Sequence, residues 1–374
     1  MEYRSFGKMG IKLSRLGFGA MRLPMQGDNV DEELSIRLMH RSFELGVNYI
    51  DTAYMYNNYQ SEIVVGKAVN SWGKGKIYIS TKNPKSGESG SVWRVCLEEQ
   101  LKKLNRDCID IYHMHGINWK QYEENISKPE GPLDAARKAQ EEGLIHHFSF
   151  SFHDKPESLI KLVDTGAYES VTVQYNLLDR SNEQAIAYAH QQGLGVVVMG
   201  PVAGGRLAAP SEPIQKLIPG GVKSTAEAAL RFVLSNPNVD VAISGMHSLA
   251  MVEENIVVAN RTDILSPEEV KRIREMMEEN KQLADLYCTE CNYCMPCPQE
   301  VNIPVNFRYM NYYRVYGLKD TARDLYHKIG SSETWWVKGK NAAACIECGE
   351  CELKCPQKIP IMAQLKETDK TLGK

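Results

Sequence analysis

The sequence predicts an α/β protein made of a (β/α)8 barrel, or TIM barrel, followed by a smaller region of helices and loops that is rich in cysteine. Strand-like and helix-like segments alternate over residues 12–260, and two runs of four cysteines follow. A chain of 374 residues suits one large domain with an appendage. We therefore expect a barrel over 1–262, a connecting helix over 263–287 and a cysteine-rich domain over 288–374.

Eight short segments rich in β-branched or aromatic residues are the strand candidates. They lie at 15–21, 48–51, 76–81, 108–115, 146–151, 170–175, 195–200 and 241–245. Helical patterns fall between them, for example at 31–46, 91–105 and 225–235. Eight strand–helix units in about 250 residues are typical of a (β/α)8 barrel. A doubly wound open sheet is the alternative, but GFGAM in the first strand matches its Gly-rich phosphate loop poorly.

The segments that flank the barrel pattern have features of their own. EYRSFGKMGIKLS, at the N-terminus, predicts two short strands around a Gly turn that cap the bottom of the barrel. Residues 266–287 predict a helix with Ser266 as N-cap, Pro267 at its first position and Glu269 completing a capping box. The C-terminal tail KETDKTLGK is expected to be frayed.

Composition excludes several classes of function. Hydrophobic residues make up 43% of the chain and charged residues 24%, which is ordinary for a globular protein. A net charge of −3 gives no electrostatic reason to bind nucleic acid or an anionic membrane. The N-terminus has no apolar signal region and no apolar run approaches the length of a bilayer span, so a cytoplasmic location is expected.

Ten cysteines in a cytoplasmic chain are poor candidates for disulfides, because thiols there stay reduced. Eight of them lie in the two runs. The other two, Cys96 and Cys108, lie in apolar periodic segments and are expected in the core.

Polar residues at the predicted strand ends are the candidates for chemistry, which in such barrels takes place at the carboxyl ends of the strands. The second strand ends at Asp51, with Tyr54 and Tyr56 just beyond it, the third reaches Lys82 and the fourth reaches His115. Singly, each residue also has a structural explanation as a turn residue, surface aromatic, solvated charge or buried histidine. Because they fall at successive strand ends, we expect four of these groups to meet on one rim.

A carboxylate, a phenol, an ammonium and an imidazole together suit the reduction of a carbonyl. A carbonyl that accepts hydride needs a proton on its developing alkoxide, and tyrosine, with an ordinary pKa of about 10, gives one up reluctantly. A neighbouring Lys⁺ stabilises the phenolate, which makes the proton easier to release. A carboxylate can hold the lysine, and an imidazole can donate a hydrogen bond to the substrate oxygen.

The motifs around these residues resemble those of the aldo/keto reductases over roughly residues 1–260. The motifs are DTAYMY (51–56), STK (80–82), DIYHMH (110–115), EGLIHHFSFSFHD (142–154), QYN (174–176), MGPVAGGRL (199–207) and SGMHSLAMVEEN (244–255). The resemblance implies that Tyr56 is the general acid, that Lys82 and Asp51 tune it, and that His115 orients the carbonyl. It also implies NADPH as hydride donor, extended across the strand ends.

The resemblance also implies a set of nucleotide-binding positions. They are Met21, Ser151, Thr172, Met199, Gly200, Pro201, Val202, Gly245, Met246, His247, Glu254 and Asn255. Backbone amides of Gly200–Gly205 and Gly245–His247 would hold the diphosphate, because loop and helix-start amides suffice for an anion. Glu254 and Asn255 would face the adenine.

Several of these positions depart from the better-known members of the family. Phe152 replaces the Asn that often follows the serine, Met199 replaces the aromatic that stacks on nicotinamide, and the family Gln falls at Thr172, with Gln174 nearby. The Lys and Arg that grip the 2′-phosphate correspond to Gly245 and Met251. Losing both cations argues against strong NADP selectivity. NAD(P)H is therefore expected with altered contacts, and electrons arriving from elsewhere are the alternative.

The two cysteine runs are CTECNYCMPCP and CIECGECELKCP. They contribute Cys288, Cys291, Cys294 and Cys297, and then Cys345, Cys348, Cys351 and Cys355. A zinc site would need two separated C-x2-C pairs and would leave thiolates over. The runs resemble those of bacterial ferredoxins with two 4Fe–4S clusters, in which three cysteines of one run and the fourth of the other bind each cluster.

By that resemblance, the first cluster takes Cys288, Cys291 and Cys294 with Cys355, and the second takes Cys345, Cys348 and Cys351 with Cys297. In this arrangement Cys297 does not bind the same cluster as the other cysteines of its run. The shorter last gap of that run therefore only has to place Cys297 at the other cluster. One cluster with unused cysteines is the fallback. Residues 305–341 are aromatic and helical in their middle, and Tyr293, Trp335 and Trp336 are expected either to pack in the core or to shield the clusters.

The combined prediction is an oxidoreductase that reduces a small carbonyl-type substrate, with NAD(P)H or a reduced ferredoxin-like protein as donor. Trp119 and Tyr122, in the loop over 115–129, are expected with His115 beside the substrate. No flavin motif is visible, and FMN stays an unsupported option. Two alternatives remain open: a non-catalytic redox-sensing or docking subunit, and clusters that only hold the C-terminal region together.

Overall fold

A computed structural model of the chain describes residues 1–177, 179–208, 212–279, 288, 290–314, 319–332 and 337–374. Its contacts divide the chain into two compact units. The first comprises 1–176, 180–201 and 230–265, and the second comprises 177–179, 202–229 and 266–374. Among the helices of these described ranges, none has the length and apolar composition needed to cross a membrane.

Eight parallel strands form a closed barrel, which confirms the predicted fold class. In chain order they are Leu16–Gly19, Tyr49–Asp51, Tyr78–Asn83, Ile109–Ile117, Ile145–Phe152, Ser170–Gln174, Gly195–Met199 and Val241–Ser244. Each overlaps one of the eight predicted segments. Each strand pairs with the next along the chain, and the last returns to the first through Ile243 opposite Gly17. All eight carboxyl ends therefore lie at the same end of the barrel.

Helices alternate with these strands, as the periodicity predicts. The longer ones are Glu32–Glu44, Ser61–Trp72, Gly90–Leu104, Pro132–Glu141, Pro156–Asp164, Glu183–Gln192, Thr225–Leu234 and Leu249–Ala259. Short helical turns lie at Ala20–Arg22, Tyr56–Tyr59, Trp119–Gln121, Tyr122–Ile126, Ala203–Ala208 and Glu212–Gln215. The first long helix shows how the sequence sets its ends. The Asp31 side chain accepts the Leu34 amide at 3.1 Å, and Gly46 follows the helix with φ of 100°.

A hairpin of Tyr3–Ser5 and Lys12–Ser14 precedes the barrel, as predicted. Phe6, between its strands, is fully buried in a cluster with Tyr49, Ile111 and Val241. A side chain at Gly195 would lie 2.5 Å from the Phe6 ring, so this strand needs glycine there. A second hairpin, Met25–Gln26 with Asn29–Val30, was not predicted, because two-residue strands carry no readable alternation. Cys96 is buried as predicted, whereas Cys108 is only partly buried.

The second unit contains the helix at the predicted connecting position and the described helices of the cysteine-rich region. They are Pro267–Glu279, Ile303–Arg314, Lys319–His327, Glu350–Lys354 and Ile361–Leu372, with a 3-10 turn at Ala342–Ala344. The predicted capping box is present: the Ser266 amide donates to Glu269 at 2.7 Å and the Glu269 amide to Ser266 Oγ at 3.2 Å. Residues 280–287 of the predicted connecting helix lie outside the described residues.

The prediction of a frayed C-terminal tail is wrong. The tail belongs to the helix Ile361–Leu372. Thr368 and Leu372 are fully buried, and Tyr326 donates a hydrogen bond to Asp369 at 2.7 Å. The charged residues of the tail occupy the other face, so an amphipathic helix looked like a polar end.

Candidate functional site

Lys82 and Asp51 form a buried ion pair at the ends of adjacent barrel strands. Lys82 Nζ lies 2.6 Å from Asp51 Oδ1, and both side chains are at most 3% exposed. The ammonium also donates to the Thr52 carbonyl at 2.7 Å, and Ser80 Oγ donates to Asp51 Oδ2 at 3.0 Å. Hydrogen bonds on both sides offset the cost of burying the two charges. The ammonium group is therefore held at one point of the rim.

Tyr56 is the tyrosine that faces this pair. Lys82 Nζ lies 4.8 Å from the centre of its ring, and the ring packs edge-on against His115 with centroids 6.2 Å apart. Tyr54 is directed elsewhere, because its hydroxyl donates to Glu99 at 2.9 Å. That hydrogen bond, with the Glu99 charge and some burial, raises the pKa of Tyr54 to about 12. The structure thus distinguishes the two tyrosines of DTAYMY.

The chain turns sharply after Tyr56. Asn57 and Asn58 have left-handed backbone angles, with φ of 49° and 55°. Asparagine is among the non-glycine residues that tolerate this region best. The two asparagines after Tyr56 therefore allow the chain to change direction there and to enter the helix Ser61–Trp72 within a few residues.

Two histidines on the fourth barrel strand have different surroundings. His113 is fully buried, and its Nε2 lies 2.8 Å from Ser80 Oγ. His115 lies one pleat further toward the rim, against Tyr56. Burial, followed by the Lys82 charge, lowers the pKa of His113 to about 3 and that of His115 well below its ordinary value. Both rings are neutral at pH 7, and a neutral imidazole still donates one hydrogen bond.

A third histidine, His153, belongs to this end of the barrel and was not singled out from the sequence. It follows the fifth strand, and a side chain at Gly116 would lie 3.8 Å from its Cδ2. Burial and the charge of Lys82 lower its pKa to about 4, and a proton on His153 would in turn lower the pKa of His115. The signal for it was its place directly after a strand end, two residues beyond Ser151.

The residues expected beside a nicotinamide lie on adjacent strands. Ser151 is in register with Thr172, and Gln174 with Met199. The Ser151 hydroxyl accepts the Gly116 amide at 2.8 Å. Thr172 Oγ1 and Gln174 Nε2 are buried without a hydrogen-bond partner in the described part of the chain. Gln174 ends its strand and so lies two residues nearer the carboxyl end of the barrel than Thr172.

The loop after the seventh strand offers fewer amides than predicted. Gly200 has φ of 63°, and Pro201 has no N–H to donate. The Val202 carbonyl accepts the amides of Gly205 and Leu207, at 3.0 and 3.2 Å. The Gly205 amide is therefore already used inside the loop.

Arg22 is a cation that sequence reasoning missed. Met21 and Arg22 lie in the turn after the first strand, and a side chain at Gly245 would lie 3.6 Å from Arg22 Cβ. The two positions are far apart in sequence and meet because the eighth strand pairs with the first. Beyond Gly245, Met246 is fully buried and His247 is exposed.

The two residues expected at the adenine have different settings. Asn255 is buried, and its Nδ2 donates to Ser244 Oγ at 3.2 Å. Glu254 is exposed. The Asn255 amide thus links its helix to the eighth strand, while Glu254 stays at the surface.

Trp119 and Tyr122 lie in the loop that follows the fourth strand. Their rings stack with centroids 5.4 Å apart and planes 22° apart. The Lys161 ammonium lies 5.3 Å from the Trp119 ring centre, and Tyr122 packs against Tyr168 at 6.3 Å. These contacts hold the pair as one aromatic block.

The eight cysteines of the runs surround two cavities in the second unit. One cavity is lined by Cys288, Cys291, Cys294 and Cys355. The other is lined by Cys345, Cys348, Cys351 and Cys297, with Cys294 between the two. Each cavity is thus bordered by three cysteines of one run and the fourth of the other. In the described part of the chain, no three His, Cys, Asp or Glu side chains are spaced to hold a single metal ion.

The backbone repeats from one run to the other. Glu290 and Glu347, each two residues after the first cysteine of a run, have φ of 57° and 56°. Their amides donate to the Sγ of Cys288 and Cys345, at 3.4 and 3.5 Å. Four thiols with amides directed at sulfur suit a 4Fe–4S cluster, whose ligands are thiolates that accept such bonds. Trp335 and Trp336 lie outside the described residues.

Two family models match this chain. Residues 15–278 match the aldo/keto reductase family, and residues 287–359 match a 4Fe–4S dicluster domain. L-galactose dehydrogenase of Arabidopsis thaliana is 25% identical over 310 residues, which cover 76% of this chain and 96% of the relative. An uncharacterized oxidoreductase of Schizosaccharomyces pombe is 31% identical over 261 residues, covering 66% of this chain and 82% of the relative.

Solved structures agree with these matches. An aldo-keto reductase of Bacillus halodurans in its holo form superposes with a TM-score of 0.63 and 28% identity, covering 74% of this chain and 96% of that one. The family match spans well over half of the 374 residues, and the barrel has the fold of that neighbour. This chain therefore belongs to the aldo/keto reductase family and carries a 4Fe–4S dicluster domain after its barrel.

Proposed function

We propose that the barrel reduces a carbonyl-type substrate with Tyr56 as the general acid. The observation that carries the proposal is the Lys82 ammonium, held by Asp51 at 2.6 Å and facing the Tyr56 ring at 4.8 Å. A fixed positive charge beside a phenol stabilises the phenolate that remains when the proton leaves. Asp51 keeps that charge in place, so it is a positioning residue.

His115 would orient the substrate oxygen. Its pKa lies well below the ordinary value because of burial, so the ring is neutral and can direct one N–H at the oxygen without adding a second cation beside Lys82. Trp119 and Tyr122 offer an aromatic surface for the rest of the substrate. A bound NAD(P)H supplies the hydride.

The residues that would hold the dinucleotide support a binding mode with few cations. Gln174, whose Nε2 is buried without a partner in the described part of the chain, fits the carboxamide, and Ser151 lies on the adjacent strand. Arg22 is a candidate for the diphosphate, since it lies beside Gly245. Because Gly245 and Met251 bring no charge, we propose little preference for NADPH over NADH.

The cysteine-rich region, proposed as residues 288–374 after a connecting helix over 263–287, would hold two 4Fe–4S clusters. The lining of the two cavities supports the shared arrangement, with Cys355 serving the first cluster and Cys297 the second. A 4Fe–4S cluster held by such thiolates carries one electron at a time. We propose that the clusters exchange electrons with a ferredoxin-like partner or with the barrel.

The test is Tyr56→Phe, with Tyr54→Phe as the matched control. Protein purified without oxygen is assayed for reduction of small aldehydes and ketones with NADH, NADPH or reduced ferredoxin. Loss of a general acid costs typically 10²–10⁴-fold, so we expect Tyr56→Phe to lower kcat/KM by at least about 100-fold. Tyr54→Phe should keep the wild-type rate, because the Tyr54 hydroxyl is bonded to Glu99.

Equal activity of wild type and Tyr56→Phe would refute the acid assignment. A wild-type protein that turns over no carbonyl with any donor, but whose clusters respond to reductants, would favour the redox-sensing alternative instead.

A further inference from the structure

The two cysteine runs resemble each other in a further feature: each has a glutamate that forms an ion pair with a cation on a later helix. Glu290 and Glu347 occupy equivalent places in the two runs. Arg308 lies five residues into the helix Ile303–Arg314, and Lys366 lies five residues into the helix Ile361–Leu372. Arg308 pairs with Glu290, and Lys366 pairs with Glu347.

The two pairs differ in how firmly they hold the glutamate. Arg308 contacts both carboxylate oxygens of Glu290, with Nε donating to Oε1 at 2.8 Å and Nη2 to Oε2. Their side chains are 39% and 21% exposed. Lys366 lies 3.7 Å from Glu347 through one atom, and those side chains are 77% and 59% exposed. A bidentate Arg–carboxylate pair fixes orientation, whereas a solvated lysine acts as a movable point charge.

Glu290, which Arg308 holds through both carboxylate oxygens, is also a residue whose backbone amide donates to a cluster thiol. The Glu290 amide donates to Cys288 Sγ at 3.4 Å, so a fixed Glu290 also fixes this bond. The thiols of the first cavity are also better covered: its four are buried or partly buried, whereas Cys348 of the second is exposed. Hydrogen bonds to sulfur and exclusion of water are two of the factors that set a cluster's potential.

We propose that Arg308 is a positioning residue for the first cluster: by clamping Glu290 it holds the amide on Cys288 and so sets the potential of this cluster apart from that of the second. The inference rests on the proposed cluster assignment. A hydrogen bond to sulfur stabilises the extra negative charge of the reduced cluster, so losing it lowers the midpoint potential. The second cluster has no such clamp, because Lys366 holds Glu347 through a single atom and its ligand Cys348 is exposed.

The test is a redox titration of the full-length, iron-loaded protein, followed by visible absorbance and by the electron paramagnetic resonance of the reduced clusters. We expect Arg308→Met to lower one of two midpoint potentials and to leave the other unchanged. Arg308→Lys should shift the same midpoint less. Lys366→Met is the matched control in the other half of the repeat. It should shift either midpoint less than Arg308→Met shifts the midpoint of the first cluster.

The double variant Arg308→Met with Glu290→Gln separates positioning from charge. It leaves no unbalanced carboxylate, so a purely electrostatic effect would return the midpoint to its wild-type value, and that result would overturn the proposal. If the amide must be clamped, the midpoint stays low in the double variant. Equal shifts in Arg308→Met and Lys366→Met would also overturn it.

Iron and sulfide analysis of each variant guards against loss of the clusters. If Arg308→Met does not retain iron, Arg308→Lys and Glu290→Gln replace it, and both must shift a single midpoint for the proposal to stand. A wild-type protein that binds iron for two clusters but titrates in a single transition would overturn the proposal, whereas one that binds iron for a single cluster would overturn the cluster assignment itself.

Discussion

At the scale of single residues, the rim of the barrel combines one buried cation with three neutral imidazoles. Lys82 has the carboxylate of Asp51 as its partner, and its charge bears on His113, His115 and His153. Further protonation there would place a second cation near the first in a partly dry site, which costs free energy. The arrangement therefore keeps the imidazoles as hydrogen-bond donors and leaves the phenol of Tyr56 as the group next to the cation.

This arrangement predicts how stability depends on pH. Burial, and then Lys82, lowers the pKa of His153 to about 4, whereas an unfolded histidine titrates near its ordinary value of 6.5. The unfolded chain thus binds the proton first, so below pH 6.5 the free energy of unfolding falls as the pH falls. Each such histidine contributes about 1.4 kcal/mol per pH unit between the two pKa values.

His153→Gln removes one of these titrating groups. Going from pH 8 to pH 5, the wild type should lose more unfolding free energy than the variant. We expect this extra loss to reach up to about 2 kcal/mol. Denaturant unfolding of both proteins followed by circular dichroism measures it. His113 and His115 remain in both proteins, so their contributions cancel. Parallel curves for the two proteins across this range would show that His153 does not titrate as described.

At the scale of elements, short-range patterns predicted most of the barrel. The eight strand segments, the Ser266 cap and the three strand ends with Asp51, Lys82 and His115 are all local in sequence. Contacts made by long-range pairing were missed. Arg22 reaches Gly245 only because the barrel closes, and Arg308 reaches Glu290 only because a helix folds back on its run.

The C-terminal helix tests this distinction directly. Its apolar positions, Ile361, Leu365 and Leu372, recur at helical spacing but are separated by charges, which favoured the wrong prediction. Leu372 is fully buried in the core of the second unit. We expect Leu372→Ala to destabilise that unit by about 2 kcal/mol or more, as removal of a buried leucine side chain does.

Lys370→Ala is the control, because Lys370 is exposed on the same helix. Thermal loss of the visible cluster absorbance should occur at a lower temperature in Leu372→Ala and at the wild-type temperature in Lys370→Ala. Identical melting of both variants would mean that the tail contributes nothing to the core.

At the scale of the whole molecule, the proposed function combines two chemistries with different electron counts in one chain. Hydride transfer moves two electrons together, whereas each 4Fe–4S cluster carries one. In the proposed function, the barrel supplies the proton that a hydride reaction needs, with Lys82 facing Tyr56. Under that proposal, carbonyl reduction from NAD(P)H does not require the clusters, whereas reduction from a one-electron partner does.

Removing the second cluster separates these routes. In the double variant Cys345→Ala with Cys348→Ala, we expect carbonyl reduction by NAD(P)H to stay within a few-fold of the wild-type rate, because Asp51, Tyr56 and Lys82 are untouched. Reduction driven by reduced ferredoxin should fall to background, since a cluster needs all its thiolate ligands. Cys108→Ala, which changes a cysteine outside both runs, is the control for both assays. If the double variant loses the NAD(P)H-driven activity while its barrel melts as in wild type, electrons must reach the substrate through the clusters, and NAD(P)H does not pass its hydride directly to the substrate.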